Sequence, residues 1–450
     1  MFCRSNLIGN KFSTFVTLCL RGKNMKTLLK NCKLIEGVKN IIIEDEKLID
    51  IYSSREDEGQ RLDTDFDQII DVKGNLVIPG VIDPHIHVRD LHQSEKEDWI
   101  SVSKAAIAGG VTTVFDMPNT IPATINLTNL NIKRKAAKKA LVNYRFFIGA
   151  TNNNLKDIEQ ILSNEPPDIV GIKIFLAGSS SNDVLEKNKI EDVFKIAQKY
   201  DKVVVVHTEL QECLNKWNSK IKEKTILNHN KIRNRECAIN GTKLVLEMAE
   251  KIQNKLYIAH ISTAEEIEMI RKFKFNNQVY CEITPHHLLL NETILEKVGN
   301  FGKVNPPLRT EKDNSALWEA IYDGTADVIG TDHAPHKLSE KLLEYSEAPS
   351  GFPGLETGFH LLLNEVNKEN LTIRRLVELT SKNAIEIFNL KNKGEIKVGN
   401  FADLTVIDKN KKWRIDAKKF KTKAKYSPFD GMEVQGKVIK TFVNGKMFDV

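Results

Sequence analysis

"VIDPHIHVRD", residues 81–90, closes the apolar run "NLVIPGVID" at 75–83, and its reading decides the fold. A continuous apolar run of this kind reads as a strand buried on both faces. Side chains two apart on a strand share a face, so His85 and His87 aim at one spot. Arg89 comes next on that face if the strand continues. Two imidazoles converging on a point suit a metal ion, and equally a hydrogen-bonded pair near the surface. The rest of the chain has to choose between the two.

Seven further apolar runs follow: "VTTVFDM" (111–117), "YRFFIGA" (144–150), "GIKIFLA" (171–177), "KVVVVHTE" (202–209), "KLYIAHIS" (255–262), "QVYCEIT" (278–284) and "ADVIGTDHA" (326–334). Helix-like segments rich in Lys and Glu separate them. Strand-then-helix units in this number predict a parallel sheet closed into a (β/α)8 TIM-like barrel, with its chemistry at the C-terminal ends of the strands.

The polar residues fall at those ends. His85 and His87 end the first run, Pro118 and Asn119 follow the second, and Lys173 sits inside the fourth. His207 ends the fifth, His260 the sixth and Asp332 the eighth. Singly, a buried histidine is most simply a satisfied core residue, and a lysine in an apolar strand snorkels to water. The joint pattern favours metal. Four histidines, an aspartate and a lysine exceed the needs of one tetrahedral zinc and suit two metals. The lysine fits if burial near metals lowers its pKa, because the neutral amine captures carbon dioxide as an anionic, bridging carbamate. The alternative for Lys173 is a structural ion pair.

The flanks differ from the middle. Short β-like runs occupy 25–76 and return in 396–450, predicting one small β-sandwich domain built from both chain ends around a barrel at 77–395. Residues 1–24 are an extension without Asp or Glu and with Arg4, Lys11, Arg21 and Lys23. They read as an organelle-targeting peptide or, by slight preference, as sequence upstream of a start at Met25, because "MKTLLKNCKLIEG" already resembles a first strand.

Bulk properties exclude other classes. The 450 residues are 41% hydrophobic and 28% charged, which describes a soluble globular chain. No run approaches the ~20 apolar residues of a membrane span. The net charge of +6 comes from dispersed lysines rather than a basic arm, so no nucleic acid is expected. The six cysteines (3, 19, 32, 213, 237 and 281) include no C-x-x-C pair, which argues against a thiolate zinc cluster and suits a reducing compartment. Cys281 reads as a small buried residue.

"HIHVR", "MPNT", "GIKIFL", "VVVHTE", "AHIST", "EITPHHLLL", "VNPPLR", "GTDHAPH" and "SGFPGLET" resemble, in order, the motifs of dihydroorotases within the cyclic amidohydrolase superfamily. The resemblance covers about 77–395. It implies a metal-dependent hydrolase barrel in which His85, His87 and Asp332 hold one zinc and His207 and His260 the other, with carboxylated Lys173 bridging. It implies the reversible hydrolysis of dihydroorotate to N-carbamoyl-L-aspartate in pyrimidine synthesis, with Asp332 carrying the proton to the leaving ring nitrogen. Arg89, Asn119, Asn305 and His336 would bind substrate, with the backbone at Ser350 and Gly351 facing the ring. Ser350 is smaller than the family pattern expects. A cytoplasmic enzyme follows, associating with a second copy or with the enzyme of the preceding step.

Two other functions compete. Another cyclic amidohydrolase (a hydantoinase, dihydropyrimidinase or allantoinase) would not need Arg89 and His336, because its rings carry no carboxylate. A catalytically dead scaffold would not need all six metal-capable groups.

Overall fold

The computed structural model describes residues 24–53, 63–178, 184–274 and 278–450. The expected extension, apart from Asn24, lies outside the described residues, as do Cys3 and Cys19.

Eight parallel strands form one sheet in sequence order: β1 (Val81–Ile86), β2 (Val111–Asp116), β3 (Asn143–Gly149), β4 (Ile169–Phe175), β5 (Val203–His207), β6 (Leu256–Ile258), β7 (Val279–Ile283) and β8 (Val328–Ile329). The ring closes just beyond β8. Ile86 bridges His333 in parallel, and the Asp83 carboxylate accepts from the Thr331 N–H (3.1 Å) and hydroxyl (2.5 Å).

Strand alternation builds two cores. In β4 and β5, Ile172, Ile174, Val204 and Val206 point outward and pack with Phe194, Val245 and Leu246 from the surrounding helices. Val203 and Val205 point inward, beside Ile82, Phe115, Phe147 and Tyr257, and on β4 Gly171 takes the inward place against Phe147. Phe388, just after the helix Asn383–Ile387, plugs this inner core, with ring centroids 5.0 Å from Phe115, 5.4 Å from Tyr257 and 5.9 Å from Phe147. The inward pattern continues along β4 to Lys173 and along β5 to His207, so polar groups arrive in the barrel on the same face as its hydrophobic filling.

The chain ends share a second, mixed eight-stranded sheet. Leu404–Arg414 pairs antiparallel with Leu76–Pro79 on one edge and with Glu433–Val443 on the other. Lys26–Leu34 continues the sheet, pairing with Gly37–Glu44 and, on its other edge, in parallel with Gln68–Asp71 and Leu76. Leu29, Ile41, Val77, Leu404 and Phe442 form its own core.

Two expectations need correction. The run 76–83 is two strands rather than one: Leu76–Pro79 belongs to the end sheet, and the barrel begins after Gly80. A Cβ on Gly80 would sit 2.3 Å from Thr112 Oγ1, so only glycine lets the chain cross here. The cysteines are not all free. Cys213 and Cys237 are disulfide-bonded, because the helices Gln211–Lys220 and Arg235–Ile252 start side by side, with the Leu210 N–H on the Cys237 carbonyl at 3.1 Å. Cys32 and Cys281 are free and buried. Among the described residues no helix is long and apolar enough to cross a membrane.

Candidate metal centre and active site

A cavity of about 540 Å³ opens at the C-terminal ends of the strands. Every residue expected to ligate metal, bind substrate or carry the proton lines it. His85, His87, Lys173, His207, His260 and Asp332 come from strand ends, and Arg89, Asn119, Asn305, His336, Ser350 and Gly351 from the loops that follow. His286 and His287 do not. His287 is spent between Thr284 Oγ1 (2.8 Å) and the Pro306 carbonyl (2.9 Å).

The histidines turn their ring nitrogens in a consistent way. His85 donates from Nδ1 to Glu282 Oε1 (2.7 Å), leaving Nε2 3.4 Å from Asp332 Oδ1. His87 donates from Nδ1 to Asn119 Oδ1 (2.7 Å), leaving Nε2 3.1 Å from Asp332 Oδ1. His207 places Nε2 3.1 Å from Glu209 Oε2 and faces His260 Nε2 with Nδ1 at 3.0 Å. In each of the three rings one nitrogen faces an outer partner, Glu282, Asn119 or Glu209, and the other turns inward toward Asp332 or His260. This is the outer arrangement that metal-ligating histidines require. His260 Nδ1 has no hydrogen-bond partner among the described residues.

The donor set fits metal ions. One ligand atom each from His85, His260 and Asp332 lies within 4.8 Å of the other two. That trio draws from both groups assigned by resemblance, so the two groups share one space. Burial lowers the His87 pKa to about 4, which keeps its imidazole neutral and able to ligate. Burial pushes the Asp332 carboxyl up, but the facing His85, His87 and His260 rings outweigh it and hold the carboxyl well below its usual range. Lys173 is fully buried, and its Nζ has no hydrogen-bond partner among the described residues. Burial lowers its pKa to about 8, against the opposing pull of Glu282 and Asp332. An amine whose charge burial disfavours, and which no described residue hydrogen-bonds, is the state from which a carbamate can form.

The backbone is strained where these groups sit. Arg89, Asp90, Leu91, His260 and Asp332 all have positive φ, between 36° and 66°, a conformation that persists only where its surroundings enforce it. Around Arg89 that enforcement is visible. The buried Asp116 carboxylate takes the Val88 N–H at 2.9 Å and pairs with buried Lys133 at 2.8 Å. Asp90 takes the N–H groups of Leu91 (2.6 Å) and Trp99 (3.1 Å). The strand thus ends in a fixed turn, which aims the buried Arg89 guanidinium across the cavity to the Pro335 carbonyl (3.2 Å) and His336 Nε2 (3.2 Å).

The opposite wall is built from backbone. His336 Nε2 lies 3.0 Å from the Ser350 carbonyl, and the Gly351 N–H donates to the Lys303 carbonyl at 2.8 Å. Gly351 has φ +118°, and a Cβ there would lie 2.7 Å from the Ala334 carbonyl oxygen, so the close approach demands glycine. Asn305 Oδ1 is buried on the same cavity and has no hydrogen-bond partner among the described residues.

Sequence reasoning missed the carboxylates behind the ligands. Glu282, on β7, accepts from His85 Nδ1, from the His260 N–H (2.8 Å) and from the Tyr257 hydroxyl (2.7 Å). Glu209 Oε2 accepts from Arg233 Nε (3.0 Å) and Nη2 (2.5 Å) beside His207. The available signal was an acid inside or just after an apolar strand, "VYCEI" and "VVVHTE". Asn119, expected to touch substrate, also stands on a histidine.

The profile of the Amidohydrolase family matches residues 76–448. Among curated relatives, a dihydroorotase of Methanosphaera stadtmanae is 37% identical over 428 residues, covering 93% of this chain and 95% of that protein. A dihydroorotase of Pyrococcus horikoshii is 37% identical over 415 residues, covering 92% and 88%. Among solved structures, an L-hydantoinase (dihydropyrimidinase) from Arthrobacter aurescens superposes with a TM-score of 0.87 at 28% identity, covering 94% of this chain and 95% of that one. A dihydropyrimidinase from Brevibacillus agri superposes with a TM-score of 0.86 at 26% identity, covering the same shares.

Proposed function

This chain belongs to the amidohydrolase family, and we propose that within it the protein is a dihydroorotase, interconverting dihydroorotate and N-carbamoyl-L-aspartate in pyrimidine synthesis. The observation that carries the choice is Arg89. A buried guanidinium, with no carboxylate at ion-pair distance among the described residues, faces the same cavity as the histidine centre. A ring carboxylate completes it through a charge-assisted, two-pronged contact. Hydantoins, dihydropyrimidines and allantoin carry no such group, so the hydantoinase-like fold neighbours share the architecture without the need for this residue.

His85, His87, His207, His260 and Asp332, with Lys173 as its carbamate, are the ligands in this reading, and the ions are two zincs. Zinc, when bound, supplies Lewis acidity toward the ring carbonyl and toward the attacking water. The chain's own residues do the rest. Asp332, held ionised by the surrounding imidazoles, accepts the proton of the water and returns it to the leaving ring nitrogen. Glu282, Asn119 and Glu209 fix which nitrogen each histidine offers. Arg89 and His336 hold the substrate carboxylate, Asn305 binds the amide edge, and the Ser350–Gly351 backbone lies against the ring. The enzyme works in the cytoplasm, with a second copy of the chain or the enzyme of the preceding step as its partner.

The test is ring opening of dihydroorotate, hydantoin, dihydrouracil and allantoin by the purified protein, with and without chelator. Metal-dependent opening of dihydroorotate in preference to the three neutral rings supports the reading, and preference for a neutral ring overturns it.

A further inference from the structure

His229, on the short helix His229–Ile232, lines the cavity, and the reaction as described does not use it. It is buried, and both ring nitrogens are engaged. Nε2 lies 2.9 Å from the Val304 carbonyl oxygen and Nδ1 2.7 Å from the Tyr345 hydroxyl. A carbonyl can only accept, so Nε2 carries the proton. Nδ1 then presents its lone pair and accepts from the Tyr345 O–H. Burial lowers the His229 pKa to about 3; Arg233 and Lys303 pull the same way, while the Val304 bond and Glu209 oppose. The ring is therefore neutral, and one tautomer satisfies both partners.

Each partner leads to a group that faces the substrate. Val304 precedes Asn305, and among the described residues no hydrogen bond fixes the Asn305 side-chain oxygen. Its aim therefore depends on the backbone, which hangs by its carbonyls. The Lys303 carbonyl accepts from the Gly351 N–H (2.8 Å) and from buried Lys341 (3.4 Å). The Val304 carbonyl accepts from His229, and the Pro306 carbonyl from His287 Nε2 at 2.9 Å. Imidazole rings thus hold the carbonyls on both sides of Asn305. Tyr345 begins the segment that ends in Ser350 and Gly351. Buried Lys303 stands 4.1 Å over its ring and donates to the carbonyls of Tyr345 and Ala348, both at 2.6 Å. His229 is the joint between the Asn305 loop and this wall.

We propose that His229 is a positioning residue for substrate recognition, which fixes Asn305 through the Val304 carbonyl and ties that loop to the Ser350–Gly351 wall through the Tyr345 hydroxyl. The inference rests on the dihydroorotase reading for the role given to Asn305. The ring amide that Asn305 meets is common to dihydroorotate and to neutral cyclic amides. His229 therefore sets how well any such ring is held, whereas Arg89 sets which ring is preferred.

The experiment is a double-mutant cycle of His229→Leu and Asn305→Ala in the metal-loaded enzyme, with His229→Gln and Tyr345→Phe beside it. The readout is kcat/KM for dihydroorotate and for any neutral ring that the wild type opens. Each member of the cycle should lose about five- to fiftyfold, by the same factor on every ring. The double variant should lose at least about threefold less than the product of the single losses, because one residue acts through the other. His229→Gln keeps a donor beside an acceptor and should recover most of the loss, and Tyr345→Phe, which lacks only the hydroxyl, should lose about two- to tenfold. In the wild type, 15N NMR should show His229 protonated at Nε2 and bare at Nδ1 from pH 5 to 8, a measurement that needs no folded variant. Single losses that multiply in full, a Gln variant no better than Leu, or a proton on Nδ1 would reduce His229 to packing and overturn the inference, leaving the dihydroorotase reading intact. A wild type that opens only neutral rings overturns that reading, while the same cycle on those rings still decides His229.

Discussion

His85 Nδ1 lies 2.7 Å from Glu282 Oε1, and that same oxygen accepts the backbone N–H of His260 at 2.8 Å. One buried carboxylate therefore orients a ring on β1 and fixes the backbone that presents another after β6. Those two rings belong to different metals in the proposed assignment. Glu282→Gln keeps the shape but offers an amide where the acceptor charge stood. Metal affinity should fall by about 10–100-fold, the usual cost of losing such an outer partner. Both ions should be affected together, as read by metal content against a graded chelator series. Loss of one ion with the other unchanged would show that Glu282 serves a single site.

Lys173 makes the second test. In the metal-free protein it is a buried amine without a hydrogen-bond partner among the described residues, so Lys173→Met removes a desolvation cost while roughly keeping the volume. The metal-free variant should melt no lower than the metal-free wild type. It should bind fewer ions and lose activity by orders of magnitude, and short carboxylic acids should restore part of that activity to Lys173→Ala by standing in for the carbamate. Full metal content and activity in either variant would remove Lys173 from the centre.

A pH effect away from the metal ligands comes from Glu356. Burial pushes its pKa up to about 7, against the N–H groups of Lys421 and Thr422 that pull it down. The folded state thus holds this proton more tightly than the unfolded chain, whose glutamate titrates near 4.3. Its contribution to stability is complete below that value and is lost as pH rises toward 7. Thermal melts across pH 4–8 should decline less steeply over this window in Glu356→Gln than in the wild type. Parallel curves would show that Glu356 is ionised throughout.

Much of this was legible in the sequence, and the reasons differ by element. The barrel strands announce themselves because strands buried on both faces are written as unbroken apolar runs, and a histidine or lysine interrupting such a run is conspicuous. The break at Gly80 was hidden because two buried strands joined by one residue look like one. Glu282 and Glu209 were hidden because a single acid has no spacing to recognise, and Glu282 meets its histidine across 197 positions of sequence. Lys303 and Lys341 sit in polar stretches that read as solvent-facing, and only the folded loop buries them. Cys213 and Cys237 become neighbours only once two helices have packed.

Arg89 tests the central claim most directly. Truncating one side of a desolvated charge contact costs about 2–5 kcal/mol, so Arg89→Ala should lower kcat/KM for dihydroorotate by several tens-fold or more. Arg89→Lys should not restore it fully, because the fork is lost. Metal content should be unchanged, because His87 keeps its own partners, Asn119 and Asp332. The decisive measurement is kcat/KM for dihydroorotate and for a neutral ring in wild type and Arg89→Ala side by side. The account predicts a large loss confined to the carboxylate-bearing substrate. An equal loss on both rings, or none on either, would contradict it and return the choice to a hydantoinase.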